Sequence, residues 1–223
     1  MLSKPETKAL YNKISKVYDL LSDHSEGPVR EAGLKMLAAR PCETILEIGF
    51  GTGHGLVWLA RAVGASGKVH GIDVSEGMMA VAEGLLQREG VADRVELHCG
   101  DAEELPYGQD SMDAIFMSFT LELFDTPDIP LVLGECRRVL RAAGRIVVVG
   151  MSKEGEHGLV YDAYEWSHRH FPNFVDCRPI LVSKVLEASG FQVEEKRNVR
   201  MWVPVEIVRA VLPSRDPRAA DLE

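Results

Sequence analysis

Cysteine is scarce in this chain. Its four cysteines, Cys42, Cys99, Cys136 and Cys177, are scattered, with no Cys-x-x-Cys pair and no Cys/His cluster at zinc-ligand spacing. That excludes a structural zinc module and a redox dithiol, and predicts free, mostly buried thiols. Long apolar runs are also missing, and none approaches the roughly 20 residues of a membrane helix. The opening Met1-Leu2-Ser3-Lys4-Pro5-Glu6 lacks the apolar stretch of a secretory signal, so a cytoplasmic location is expected. Basic residues are in deficit, 25 Lys and Arg against 34 Asp and Glu, for a net charge of -9. Such a surface repels phosphates, and nucleic acid is not an expected partner.

What remains is the composition of a soluble globular protein, 46% hydrophobic and 26% charged over 223 residues. The length suits one domain with a lid or an insertion. Residues 6 to 40 read as helical, with a break at Ser25-Glu26-Gly27-Pro28, a second helix over Val29 to Ala39, and a stop at Pro41.

The pattern then changes to alternating strands and helices. Strands are expected at 44–48, 68–73, 94–99, 112–117 and 145–149. Helices are expected at 56–63, 78–89 and 130–140. This alternation implies right-handed crossovers and a mostly parallel sheet. A helix over Pro179 to Ala188 and two antiparallel strands at 191–199 and 201–208 follow. The organisation expected is a helical N-terminal segment (1–41), a core of alternating strands and helices (42–150), an insertion (151–178), a helix and strand pair completing the sheet (179–212) and a tail (213–223).

The chemistry concentrates at Glu47-Ile48-Gly49-Phe50-Gly51-Thr52-Gly53-His54-Gly55, where the first strand runs into a helix. Glycines here permit a tight turn and close approach of a ligand to the backbone. Asp73 ends the second strand, where an acid can accept both hydroxyls of a ribose. The spacing is G-x-G-x-G, not the G-x-G-x-x-G of dinucleotide folds, and Glu47 is a poor neighbour for a pyrophosphate. A nicotinamide-dependent oxidoreductase is disfavoured on both counts.

These residues resemble the class I S-adenosylmethionine-dependent methyltransferases, and among them the ubiquinone/menaquinone biosynthesis C-methyltransferases. The motifs that carry the resemblance are Glu47-x-Gly49-x-Gly51-x-Gly53, Gly71-Ile72-Asp73-Val74-Ser75 with Met78-Met79, Gly100-Asp101-Ala102 with Leu105-Pro106-Tyr107, Met112-Asp113-Ala114-Ile115-Phe116, and Val139-Leu140-Arg141-Ala142-Ala143-Gly144-Arg145. The resemblance spans about residues 11 to 150. It implies a Rossmann-like α/β fold: a seven-stranded, mostly parallel sheet with an antiparallel last strand, helices on both faces and an N-terminal helical lid. It also implies S-adenosyl-L-methionine as cofactor. The Gly49, Gly51 and Gly53 loop would pass under the methionine part, and Glu47 would hold its ammonium. Asp73 would bind the ribose, Val74 and Met78 would flank the adenine, Asp101 and Ala102 would meet its edge, and Ser118 would lie beside the sulfonium. Two stretches depart from the family: Ala142-Ala143-Gly144 replaces a Pro-Gly-Gly turn, and Phe119-Thr120-Leu121-Glu122 stands where many relatives place histidines.

The acceptor side is less marked. Methyl transfer needs alignment and water exclusion, and a base only where the nucleophile must first lose a proton. Candidate substrate-side residues are Tyr18, Glu122, His168 and His170. Tyr11 and Tyr18 lie in the lid, and each of these residues has a plain packing or capping role as its alternative. Arg137, Arg138, Arg141 and Arg145 read as a solvated helix face and turn. No metal site is expected. The function expected is methyl transfer to a small molecule such as a quinone-like or lipid acceptor, with peripheral membrane contact where the acceptor is amphiphilic. Phosphatidylethanolamine N-methylation and a non-catalytic cofactor-binding module are the alternatives. An arsenite methyltransferase fits poorly, because residues 1–41 hold no cysteine. Oligomeric state and acceptor atom stay open.

Overall fold

The computed structural model describes residues 26–153, 179–201 and 203–213. Tyr11, Tyr18, His168, His170 and Cys177 lie outside the described residues. Helix α1 occupies residues 26–37. Strand β1 (Thr44–Ile48), helix α2 (His54–Val63), β2 (Lys68–Asp73), α3 (Glu76–Arg88), β3 (Val95–Cys99) and β4 (Met112–Ser118) follow. Then come α4 (Ile129–Val139), β5 (Leu140–Met151), α5 (Val182–Ala188), β6 (Gln192–Arg200) and β7 (Pro204–Val211).

The strands form one seven-stranded sheet in the order β3-β2-β1-β4-β5-β7-β6. β7 pairs antiparallel with β5 on one side and with β6 on the other. It is therefore the one strand of the sheet that runs against the rest, and it is interior, with β6 at the edge.

Alternation along the strands divides the core. Ile45, Phe116, Val147 and Val149 point to the face covered by α1, α2 and α3. Leu46, Ile115, Ile146 and Val148 point to the face covered by α4 and α5. A strand buried on both faces needs apolar residues at every position, which is why Ile146 to Val149 read as an unbroken run. α1 sits close on the sheet: a Cβ on its Gly33 would lie 2.4 Å from a Val149 methyl.

Three expectations are corrected. The second helix does not wait for Val29: Glu26, Gly27 and Pro28, read as part of a break, already lie in α1, while Ser25 is outside the described residues. Cys42 is not among the buried thiols; it is exposed and sits in a left-handed turn at φ 69. The four arginines are not a uniform solvated face. Arg145 is buried: its guanidinium donates to the Leu37 carbonyl (2.5 Å), the Ala38 carbonyl (3.0 Å) and the Glu43 carboxylate (2.7 Å). It thereby holds the C-terminal carbonyls of α1. Burial alone would push the Glu43 carboxyl up, but its hydrogen bonds from Arg145 and Arg40 hold it below the usual range. Arg138 ties Glu135 (2.6 Å) to the Leu105 and Tyr107 carbonyls, pinning the loop after β3.

The Ala142-Ala143-Gly144 departure has a local cost. Ala143 is exposed and sits at φ 62, the left-handed region where a Cβ is disfavoured by about 1–2 kcal/mol. Ala143→Gly is expected to raise unfolding free energy by about 1 kcal/mol, less the greater freedom glycine has in the unfolded chain. Urea unfolding of the two proteins measures it; a loss of stability would mean that the alanine is not strained.

Candidate cofactor site at the strand-order reversal

Strand order reverses between β1 and β4, and in such sheets ligands bind beyond the carboxyl ends of the strands at that crevice. The loop from β1 to α2 lies there. Gly49, Gly51 and Gly53 take φ values of 71°, 52° and 91°. The two outer glycines are forced by neighbours as well as by φ. A Cβ on Gly49 would lie 2.3 Å from the Thr120 side chain, and one on Gly53 would lie 2.9 Å from the Ala82 Cβ. Among the described residues nothing lies within 4 Å of a Cβ on Gly51, so no described side chain closes over the middle of the loop.

Two bonds fasten the loop to β2. The Gly49 amide donates to the Ile72 carbonyl at 2.8 Å, and the Gly51 amide donates to Asp73 Oδ2 at 2.9 Å. Asp73 Oδ1 accepts from the Ser75 amide at 2.9 Å. Burial pushes the Asp73 carboxyl up, and these amide hydrogen bonds oppose it. Each oxygen retains acceptor capacity, as a carboxylate has about four lone-pair directions. Past Asp73, Ser75 caps α3 by accepting from the Met78 amide at 3.1 Å. This places Val74, partly exposed and apolar, beside buried Met78 at the mouth of the crevice. Across it, Ala102 is buried, and Asp101 Oδ1 accepts from the Glu103 amide at 3.1 Å, a local turn that fixes the loop.

Beneath the loop lies Glu47, 2% exposed. Its Oε2 has no hydrogen-bond partner among the described residues, and the carboxyl rests on α2, where a Cβ on Gly55 would lie 2.1 Å from Oε1. Burial drives its pKa up to about 8; Arg30 of α1 pulls it down and Asp73 pushes it up. Ser118 Oγ at the end of β4 is likewise buried with no partner among the described residues.

Beyond Ser118 the chain turns sharply at Phe119, φ 52. Thr120 Oγ1 donates to the Ser118 carbonyl at 3.0 Å. A short 3-10 turn, Leu121–Leu123, then carries Glu122, 1% exposed. Oε1 of Glu122 accepts from the Met151 amide at 3.0 Å, while Oε2 has no partner among the described residues. Burial pushes this carboxyl up to about 7, against the Met151 and Glu122 amides and with the help of Glu26 on α1.

Glu47, Gly49, Gly51, Gly53, Asp73, Val74, Met78, Asp101, Ala102 and Ser118 thus lie at or just past the carboxyl ends of β1 to β4, with Glu122 in the turn beyond β4. Sequence reading missed Arg30, Thr120 and Gly55. Gly55 had a signal: a glycine inside a helix costs up to about 1 kcal/mol and calls for a steric reason, here the Glu47 carboxyl. Arg30 and Thr120 had none.

Residues 45–144 match the family model described as a methyltransferase domain. This chain carries an S-adenosylmethionine-dependent methyltransferase domain. The chain is 31% identical over 163 residues to the ubiquinone/menaquinone biosynthesis C-methyltransferase of Vibrio parahaemolyticus, covering 70% of this chain and 62% of that one. It is 29% identical over 157 residues to the 2-phytyl-1,4-naphtoquinone methyltransferase of Synechococcus elongatus, covering 69% of this chain and 66% of that one. The match therefore spans less than two thirds of these relatives' own length. Among solved structures, a SAM-dependent methyltransferase from Aquifex aeolicus superposes with a TM-score of 0.67 at 26% identity, covering 91% of this chain and 98% of that one.

Two predictions follow from the methyltransferase domain's loop. Gly51→Ala, in open space, is expected to lose about 1–2 kcal/mol from its left-handed φ alone. Gly49→Ala, which must also displace Thr120, is expected to lose about 3 kcal/mol. Equal losses in urea unfolding would show that Thr120 yields freely. For pH, the raised Glu47 carboxyl means that the folded state holds its proton longer than the unfolded state. Its stability contribution is whole below the unfolded value and is lost as pH rises toward about 8. The Tm of ligand-free protein is therefore expected to fall between pH 5 and 8.5, and Glu47→Gln to reduce that fall. An unchanged slope in the variant would place the titration elsewhere.

Proposed function

We propose that this protein transfers the methyl group of S-adenosylmethionine to a small-molecule acceptor, with a quinone-like ring as the leading acceptor class. The observation that carries the reading is a loop of left-handed glycines, open at Gly51 among the described residues, beside a buried carboxyl with one oxygen unpartnered among them. A hydrogen-bond donor is what that oxygen lacks among the described residues, and the cofactor's ammonium is a cationic donor. A pyrophosphate would meet repulsion from Glu47 there. The residues therefore fit this cofactor. Glu47 would face the ammonium, Asp73 would accept the ribose hydroxyls, and Val74 and Met78 would sandwich the adenine. Asp101 and Ala102 would meet its edge, and Ser118 would lie near the sulfonium.

The bound cofactor supplies a methyl group on a strongly electron-withdrawing sulfur, already primed for displacement. The chain's own work is then to orient the two reactants and exclude water. A quinone-like acceptor is supported by the names of the two relatives above, a ubiquinone/menaquinone biosynthesis C-methyltransferase and a 2-phytyl-1,4-naphtoquinone methyltransferase. Among the described residues no helix is long and apolar enough to cross a membrane; an amphiphilic acceptor would be met by peripheral contact.

S-adenosylhomocysteine is expected to bind the wild-type protein at micromolar affinity, and Asp73→Asn to weaken it about 10- to 100-fold through lost charged hydrogen bonds to the ribose. Isothermal calorimetry measures both. No binding by a folded wild-type protein would refute the cofactor assignment.

A further inference from the structure

Resting on the methyl-transfer reading, we propose that Glu122 is a catalytic residue: through Oε2 it touches the hydroxyl of a phenolic acceptor seated on the β4–β5 side of the crevice, and takes that hydroxyl's proton. Three observations converge on it. The first is position. Asp73 and the glycine loop occupy the β1–β2 side of the reversal, which leaves the β4–β5 side for the acceptor. Glu122 stands there, two residues past Thr120, whose side chain abuts Gly49 of the loop. The second is fixation. Oε1 is held by the Met151 amide, and the carboxyl rests on Gly150, where a Cβ would come within 3.1 Å of Oε2. A side chain at 150 would crowd the oxygen that is left over.

The third is the leftover oxygen itself, buried without a partner among the described residues. Leaving such a group unmatched costs about 1–3 kcal/mol, and a donor from an acceptor molecule removes that cost. The charged surroundings raise its basicity. Burial and Glu26 of α1 both disfavour its anion. Glu206 on the neighbouring β7 is already engaged by Ser152 Oγ at 2.5 Å, by the Ser183 amide at 3.1 Å and by Lys196 at 3.6 Å. No described cation is among the groups acting on Glu122. A carboxylate poised near neutrality accepts a phenolic proton far better than an ordinary one does.

In the transfer, the acceptor O–H bond breaks and its proton goes to Oε2. The electron pair stays on oxygen or delocalises onto the adjacent ring carbon, and that atom forms the bond to the methyl carbon. The S–CH3 bond breaks with its pair going to sulfur, giving S-adenosylhomocysteine. Where carbon is methylated, the displaced ring proton returns to the oxygen.

The test uses the full chain, S-adenosylmethionine and 1,4-naphthohydroquinone as probe, without oxygen. Wild-type kcat is expected to rise with pH and level off above about pH 7, since the anionic form of Glu122 is the active one. Glu122→Gln is expected to bind S-adenosylhomocysteine within twofold of wild type, to lose at least about 100-fold in kcat and to lose that pH limb. Retained turnover with the limb intact would overturn the proposal. Wild-type protein that binds S-adenosylhomocysteine but does not methylate the probe would refute the phenolic acceptor; failure to bind S-adenosylhomocysteine would instead sink the cofactor reading beneath it. If Glu122→Gln does not fold, Glu122→Asp is read instead. It is expected to keep the limb and lose at least tenfold in kcat, and full activity would overturn the role.

Discussion

The site depends on one steric constraint: the backbone at Gly49 passes so close to Thr120 that no side chain fits between them. That contact joins the end of β1 to the turn after β4, across the place where strand order reverses. The amides of Gly49 and Gly51 are then caught by the Ile72 carbonyl and the Asp73 carboxylate of β2. The loop is thus held from both sides before any ligand arrives, and its open centre at Gly51 is a consequence. A preformed loop spares the ordering cost that a flexible one would incur on binding.

The second feature is a pair of buried carboxyls. Glu47 and Glu122 are each almost fully buried, each with one oxygen unmatched among the described residues. For core stability alone, apolar side chains of similar volume would serve as well or better. Two such carboxyls, one at the end of β1 and one just past β4, are the pattern expected where charge or protons are handled. Helix α1 tunes both. Arg30 favours the anion of Glu47, while Glu26, one turn earlier, disfavours that of Glu122. Arg145 anchors the far end of the same helix through the Leu37 and Ala38 carbonyls. A helix that would read as a mere cover therefore sets the electrostatics on both sides of the crevice.

Much of this was legible in the chain. The alternation of apolar strands and helices gave the parallel core, because period-2 and period-3.6 patterns leave distinct spacings. β2 was read with its observed bounds, and the two strands after residue 190 as an antiparallel pair. The glycine spacing pointed to the loop, since only glycine takes three left-handed positions in five residues at little cost. Errors arose where a local rule met tertiary context. Gly27-Pro28 looked like a break, but proline is well tolerated in a helix's first turn. Arg145 looked solvated because its three partner residues, Leu37, Ala38 and Glu43, lie more than a hundred positions away.

The sequence by itself determined the sheet's alternation, the glycine loop and the acid at the end of β2, because each is written in neighbouring residues and in backbone preferences. Only the tertiary structure decided that β7 inserts between β5 and β6, that Thr120 closes on Gly49, and that Glu122 is sealed against Gly150 with one oxygen left over. Those outcomes turn on which distant segments share a few cubic ångströms, and burial, the quantity that sets a carboxyl's proton affinity, exists only once the chain has closed around it.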